Sequence, residues 1–388
     1  MRSGSTLGER LDAGPNGIGM LRLILALAVL VSHAWVLGGF GPEPLVGLGR
    51  NEDTLGTIAV VGFFVLSGIL ISRSWVRRPR PAAYLRHRVL RIFPGFWVCL
   101  AVIALVIAPL CWLSLHGTGR GFPIVGRNSA LGYIADNLPL FISQSGIRGT
   151  QIGVPFSVVP AGLLNGSLWT LFYEFLCYLG VLALGMLGLL ARERRALIAA
   201  FTVASLLLLA YVVERHSMVN LTQSLEVSDL TVRVVVAFAL GVTMFQFSDV
   251  IPMTRTWFLV ALGLCIASIY AGWLDYGGLI AFAYVVVWVG LELPIRDLER
   301  RGDLSYGVYL YAFPVQQLLA VRAGYRWGVA VYILLTLVLV VPLAVGSWFL
   351  VERPALRWKS PRHRDATVAN LTIATGAGDD QLIPGPEV

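Results

Sequence analysis

Runs of about twenty apolar residues recur along this chain, and no other feature restricts its fold as strongly. A helix of that length spans the hydrocarbon core of a bilayer. Such runs fall at 17–37, 56–74, 92–114, 168–190, 196–213, 229–247, 256–272, 276–291, 303–321 and 328–350, with Gly272 to Gly278 barely parting the seventh from the eighth. Composition agrees: 57% of the 388 residues are hydrophobic, 13% are charged, and mean hydropathy is +0.75. A soluble protein is nearer half apolar and a quarter charged. The expected fold is all-α: a polytopic membrane protein with about ten transmembrane helices.

The net charge of +8 is almost entirely arginine, Lys359 being the single lysine. No polar surface interleaves aromatic with basic residues, so topology explains the charge better than nucleic-acid binding. Arg73, Arg77, Arg78, Arg80, Arg86, Arg88 and Arg91 crowd the second connection. Arg192, Arg194 and Arg195 lie in the fourth, and Arg296, Arg300 and Arg301 in the eighth. Arg353, Arg357, Lys359, Arg362 and Arg364 follow the tenth run, whereas odd-numbered connections carry few basic residues. By the positive-inside rule both termini are cytoplasmic.

Residues 1–16 read as a short mobile cytoplasmic leader, 17–356 as the transmembrane domain, and 357–388 as a basic, then disordered, cytoplasmic tail. The first apolar run is long and lacks a small-residue cleavage site, unlike a cleavable signal. The 115–167 connection, rich in Gly, Pro, Ser and Asn, is a candidate outer lid or acceptor platform, in which Asn137, Gln144 or Gln151 could contact a sugar. Cys99, Cys111, Cys177 and Cys265 sit in or beside apolar runs with no CxxC, and read as packing residues. His87, His116, His216 and His363 lack metal-ligand spacing, and no metal is expected.

Polar groups inside the apolar runs are the functional candidates, because burying them in lipid is costly. Arg22 and His33 bracket the first run and share one helix face, roughly 16 Å apart along it. Glu174, about two turns into the fourth helix, is expected at a depth similar to His33. A histidine with a carboxylate in reach acts as a general base; the alternatives are a structurally satisfied histidine and a glutamate paired with an intramembrane arginine. Arg22, Arg88 and Arg91 could converge on the cytoplasmic side, where guanidinium forks match phosphate oxygens. Snorkelling of Arg22 and inner-leaflet anchoring by Arg88 and Arg91 are the plainer readings. Gly62, Ser67 and Gly68 let helices approach closely or contact substrate. Ser305, Tyr306 and Tyr309 reach the inner side as a tyrosine belt or a cofactor site. Glu352 could pair with an inner arginine.

Six stretches in order resemble one family: Arg22–His33 as R-x10-H, FFVLSG at 63–68, RVLRIFP at 88–94, NGSLWTLFYE at 165–174, SYGVYLYAFP at 305–314 and VERP at 351–354. Together they are similar to the membrane-bound acyltransferase-3 family over roughly residues 17–356. Members move an acyl group, commonly acetyl, from cytoplasmic acyl-coenzyme A to a hydroxyl of an extracytoplasmic glycan such as lipopolysaccharide O-antigen, exopolysaccharide or a lipid-linked saccharide. The resemblance implies that His33 is catalytic, with Arg22 and Glu174 as companions. It places Arg88 and Arg91 on the acetyl-coenzyme A side, with Ser67, Tyr306 and Tyr309 grouped there. The implied location is a bacterial inner membrane. Ala312 stands where the family often has a histidine, so a second histidine there cannot take part. A different class also suits ten helices and a polar path: a proton-coupled transporter or flippase using His33, Glu174 and Arg22 as a relay.

Overall fold

A computed structural model describes residues 5–50, 53–150, 162–218, 229–296, 298, 302–321 and 324–358. Gln151, Arg300, Arg301 and the tail from Lys359 onward lie outside the described residues. The chain is helical in each of the ten expected stretches. They form α2 (Ile18–Leu37), α3 (Leu55–Arg77), α4 with α5 (Pro81–Val102 and Ala108–His116), α7 (Trp169–Met186) and α8 (Arg195–Met218). After these come α9 (Asp229–Gln246), α10 (Arg255–Ala271), α11 (Leu279–Glu292), α12 (Ser305–Val321) and α13 (Val329–Ser347). A π-helical turn over Ile103–Ile107 joins α4 to α5 without a break. Short helices α1 (Leu7–Asp12), α6 (Ala130–Asn137) and α14 (Arg353–Arg357) complete the described set.

Among the described residues, six stretches are long and apolar enough to cross a membrane: Ile18–Leu37, Leu55–Arg77, Pro81–His116, Trp169–Met186, Arg192–Tyr211 and Val329–Arg357. The other four helices run 14 to 18 residues each. The protein is therefore a multi-pass membrane protein.

Helix pairs close where side chains are smallest. A Cβ on Gly68 of α3 would fall 2.2 Å from the carbonyl oxygen of Phe238 and 3.0 Å from Cα of Gly241, so α3 and α9 cross backbone to backbone. Gly307 of α12 meets Cα of Ala344 on α13 in the same way, at 2.7 Å. Small residues permit this approach where apolar burial gives helices in lipid no drive to associate. Along α2 and α3, Gly56 faces Ser32 and Gly62 faces Leu25, which makes the pair antiparallel and brings Ser67 down to the level of Arg22.

From Thr6 to Asp12 the segment expected to be mobile is packed against the protein. Thr6 caps α1 in a capping box with Glu9. Leu7 and Leu11 are buried, and Leu7 and Gly8 donate backbone N–H groups to the carbonyls of Ile251 and Ser248. Asp12 accepts from Arg73 and Arg77 at 2.7 Å each, and Arg10 pairs with Glu292. The arginines expected to act only on topology thus fasten this segment down, and the Arg73 guanidinium, with Arg77 beside it, holds the Asp12 carboxyl below the usual carboxylate range.

Candidate active site

The two polar residues of α2 face different surroundings. His33 is partly buried, and its ring meets Phe313 edge-on, with centroids 5.1 Å apart. Its Nδ1 is buried and has no hydrogen-bond partner among the described residues. Phe313 is also closely packed by Gly166, whose Cβ position lies 2.6 Å from the ring. His33 is therefore positioned by aromatic packing, and among the described residues no carboxylate fixes its tautomer.

Arg22, about three turns along the same helix, lines a cavity of about 50 Å³ with Ser67, Thr170, Glu174, Tyr306 and Tyr309. Arg22, Glu174, Ser67, Tyr306 and Tyr309, all expected from sequence to serve the site, thus meet in one place. Ser67 donates to Glu174 at 3.3 Å, and the Tyr178 hydroxyl donates to the same carboxylate oxygen. Tyr309 donates to the Ser167 carbonyl at 2.9 Å and shares a 2.6 Å bond with Thr170, while Tyr306 donates to the Ile92 carbonyl at 2.7 Å. Both tyrosines are buried, not an interfacial belt.

The depth expected for Glu174 is corrected. It stands with Ser67 and Arg22, while Gly166, eight residues earlier, is the residue at the level of His33. The reason is that α7 starts deep. Before it, Asn165 is already buried and donates Nδ2 to the Leu310 carbonyl at 2.9 Å, drawing the chain inward before the first helical turn.

Asp303 was not anticipated from sequence. Its Oδ2 accepts from Arg22 at 3.0 Å and from Arg91, while its Oδ1 accepts from the Ser305 backbone and hydroxyl. Glu352 adds a second carboxylate 3.7 Å from Arg91. Arg22 and Arg91 are thereby charge-paired inside the protein rather than snorkelling or anchoring. Arg88 differs. Its guanidinium lies 5.4 and 5.6 Å from the ring centroids of Tyr84 and Tyr178 and donates to Ser74 at 3.1 Å. Its Nε is buried without a partner, and no carboxylate pairs with it among the described residues.

The loop residues suggested for sugar contact are otherwise engaged. Asn137 and Gln144 are buried, and their amides bond the backbone at Ser143, Gln144, Ser129 and Gly146. They build the connection that carries α6.

The comparisons with known proteins converge. The acyltransferase-3 model, described as an acyltransferase domain, matches residues 16–350. An O-acetyl transferase of Shigella phage Sf6 is 30% identical over 355 residues, covering 88% of this chain and 96% of its own length. Nodulation protein 10 of Rhizobium leguminosarum bv. viciae is 28% identical over 363 residues, 89% of this chain and 94% of its own. No solved structure matches the chain. The family decides between an enzyme and a transporter built on the same polar path. By these matches, and with its apolar helices, this chain belongs to the acyltransferase-3 family and is a membrane-bound O-acyltransferase.

Proposed function

We propose that the protein transfers an acetyl group from acetyl-coenzyme A to a hydroxyl of an extracytoplasmic saccharide, free or lipid-linked. It does so in a bacterial inner membrane, with ten helices crossing and both termini cytoplasmic. The observation that carries this reading is the placing of two polar sites on one helix: the Arg22 cavity at one end and His33 at the other. A donor entering from the Arg22 end reaches towards His33 with its extended arm, and the acceptor arrives from the opposite face. His33 takes the proton of the acceptor hydroxyl as its oxygen attacks the thioester carbonyl. The carbon–sulfur bond then breaks, and the imidazolium returns the proton to the departing thiolate.

Among the three arginines, Arg88 is the one that takes donor phosphate first. Arg22 and Arg91 are already neutralised by Asp303 and Glu352, whereas Arg88 has no competing carboxylate among the described residues. Glu174, Ser67, Tyr306 and Tyr309 line the donor's path. Membranes given radiolabelled acetyl-coenzyme A test both assignments. His33→Ala should leave no label on glycan at normal protein level. Arg88→Ala should raise the donor KM roughly tenfold, equivalent to about 1.4 kcal/mol, with kcat within about twofold. Unchanged labelling by the His33 variant would refute the histidine's role.

A further inference from the structure

The helices α7 and α8 are consecutive in the chain yet stand apart. α8 packs on α9 and α9 on α3, and between α7 and α8 lies a cavity of about 710 Å³. Leu176 and Leu184 of α7, Leu197 and Phe201 of α8, and Val235 and Phe238 of α9 form its walls. Thr202, one of the few polar groups there, shares its hydroxyl with Thr243 at 2.7 Å. Gly180 opens onto this space: nothing lies within 4 Å of where its Cβ would stand. The volume is that of a ligand pocket, which runs roughly 300–1,000 Å³. Apolar walls give water too few partners to remain, so within a bilayer the filler is an acyl chain.

One end of this groove is basic. Leu187, Leu189 and Leu197 lead directly to Arg192, Arg194 and Arg195. Arg195 pairs with Asp249 at 3.2 Å and Arg192 lies 3.8 Å from the same carboxylate, while Arg194 donates to the Leu187 carbonyl at 3.2 Å, at the groove's own rim. Three guanidiniums against Asp249 and Glu193 leave a positive balance, and Arg194 has no carboxylate partner among the described residues. We propose that the groove between α7 and α8 is a binding site for an anionic phospholipid, with an acyl chain along Gly180 and the phosphate on Arg194 and Arg192. The site is separate from the Arg22 cavity, because Glu174 faces α3 while Tyr173, Leu176 and Cys177 face the groove. Only the width of α7 divides the two.

The test is lipid retention by the full-length protein. It would be reconstituted in vesicles of phosphatidylcholine containing about one-tenth phosphatidylglycerol, extracted in mild detergent, and examined by native mass spectrometry. Wild type should keep one phosphatidylglycerol in preference to the more abundant phosphatidylcholine. Gly180→Trp, which fills the groove where no atom stands in the way, should lower that retention at least about fivefold. Arg194→Gln alters an exposed side chain, so its fold is not at risk; it should abolish the preference for phosphatidylglycerol while a lipid still binds. The assignment is overturned if wild type retains no lipid, retains both lipids in proportion to their abundance, or loses nothing on either substitution. Recovery of a polyprenyl phosphate in place of phospholipid, from protein purified out of native membranes, would overturn it as well.

Discussion

Asp303 sits where two guanidiniums would otherwise repel each other in a poorly hydrated place. Removing one partner of a buried ionic cluster costs far more than forming the cluster stabilises, because a charge is left stranded. Asp303→Asn keeps an oxygen for the Ser305 hydrogen bonds but removes the carboxylate charge that Arg22 and Arg91 share. We expect destabilisation of about 3–5 kcal/mol, read as a lower thermal midpoint in detergent, and a drop in acetyl transfer. Normal stability in this variant would mean that Glu352 alone neutralises both arginines. At this scale the sequence was only partly legible. Arg22 and Arg91 stood out because they lie in or beside apolar runs. Asp303 did not, since it opens the ninth run directly after a polar link and gains its meaning only when α2 and α4 bring their arginines to it. His33 is conspicuous as an ionisable group among apolar residues, but nothing in the sequence pairs it with Phe313.

Among the helices, the α3–α9 crossing is the contact most sensitive to side-chain volume. A methyl on Gly68 would collide with the backbone carbonyl of Phe238, which cannot rotate away. Gly68→Ala should therefore destabilise at or above the upper end of the roughly 1–3 kcal/mol usual for overpacking, while Gly180→Ala, facing open space, should leave the thermal midpoint almost unchanged. Comparing the two melting curves separates close packing from a general intolerance of helical glycine. Apolar run length sufficed to locate these ten helices to within a few residues at most ends, although α4 begins at Pro81, well before the apolar run, and already holds Arg88 and Arg91. The depth of α7 was hidden, because it depends on Asn165 finding the Leu310 carbonyl, a contact 145 residues away in sequence.

Across the whole molecule, the N-terminal segment ties together the ends of α3, α9 and α11 through Asp12–Arg73, Leu7–Ile251 and Arg10–Glu292. Asp12 has a folded-state pKa below its unfolded one, so its contribution is complete above the ordinary carboxylate value near 4 and fades as pH falls through the folded value. Its carboxylate is largely exposed, so the effect is small. Hydrogen exchange of the Leu7–Asp12 amides, corrected for intrinsic rates, should quicken at pH 3 relative to pH 7. Asp12→Asn should show the faster exchange already at pH 7 and little further change on acidification. A polar opening stretch reads from sequence as solvated, and two leucines one turn apart are too weak a signal to reveal otherwise.

The chamber beside Arg22, at about 50 Å³, admits a few waters and nothing as bulky as a pantetheine arm. In the proposed reaction the donor must therefore wedge α7 and α12 apart as it enters, and the walls close again when it leaves. On that reading an enzyme without donor holds no ready-made space for it, and the energy that parts the helices has to come from donor binding itself.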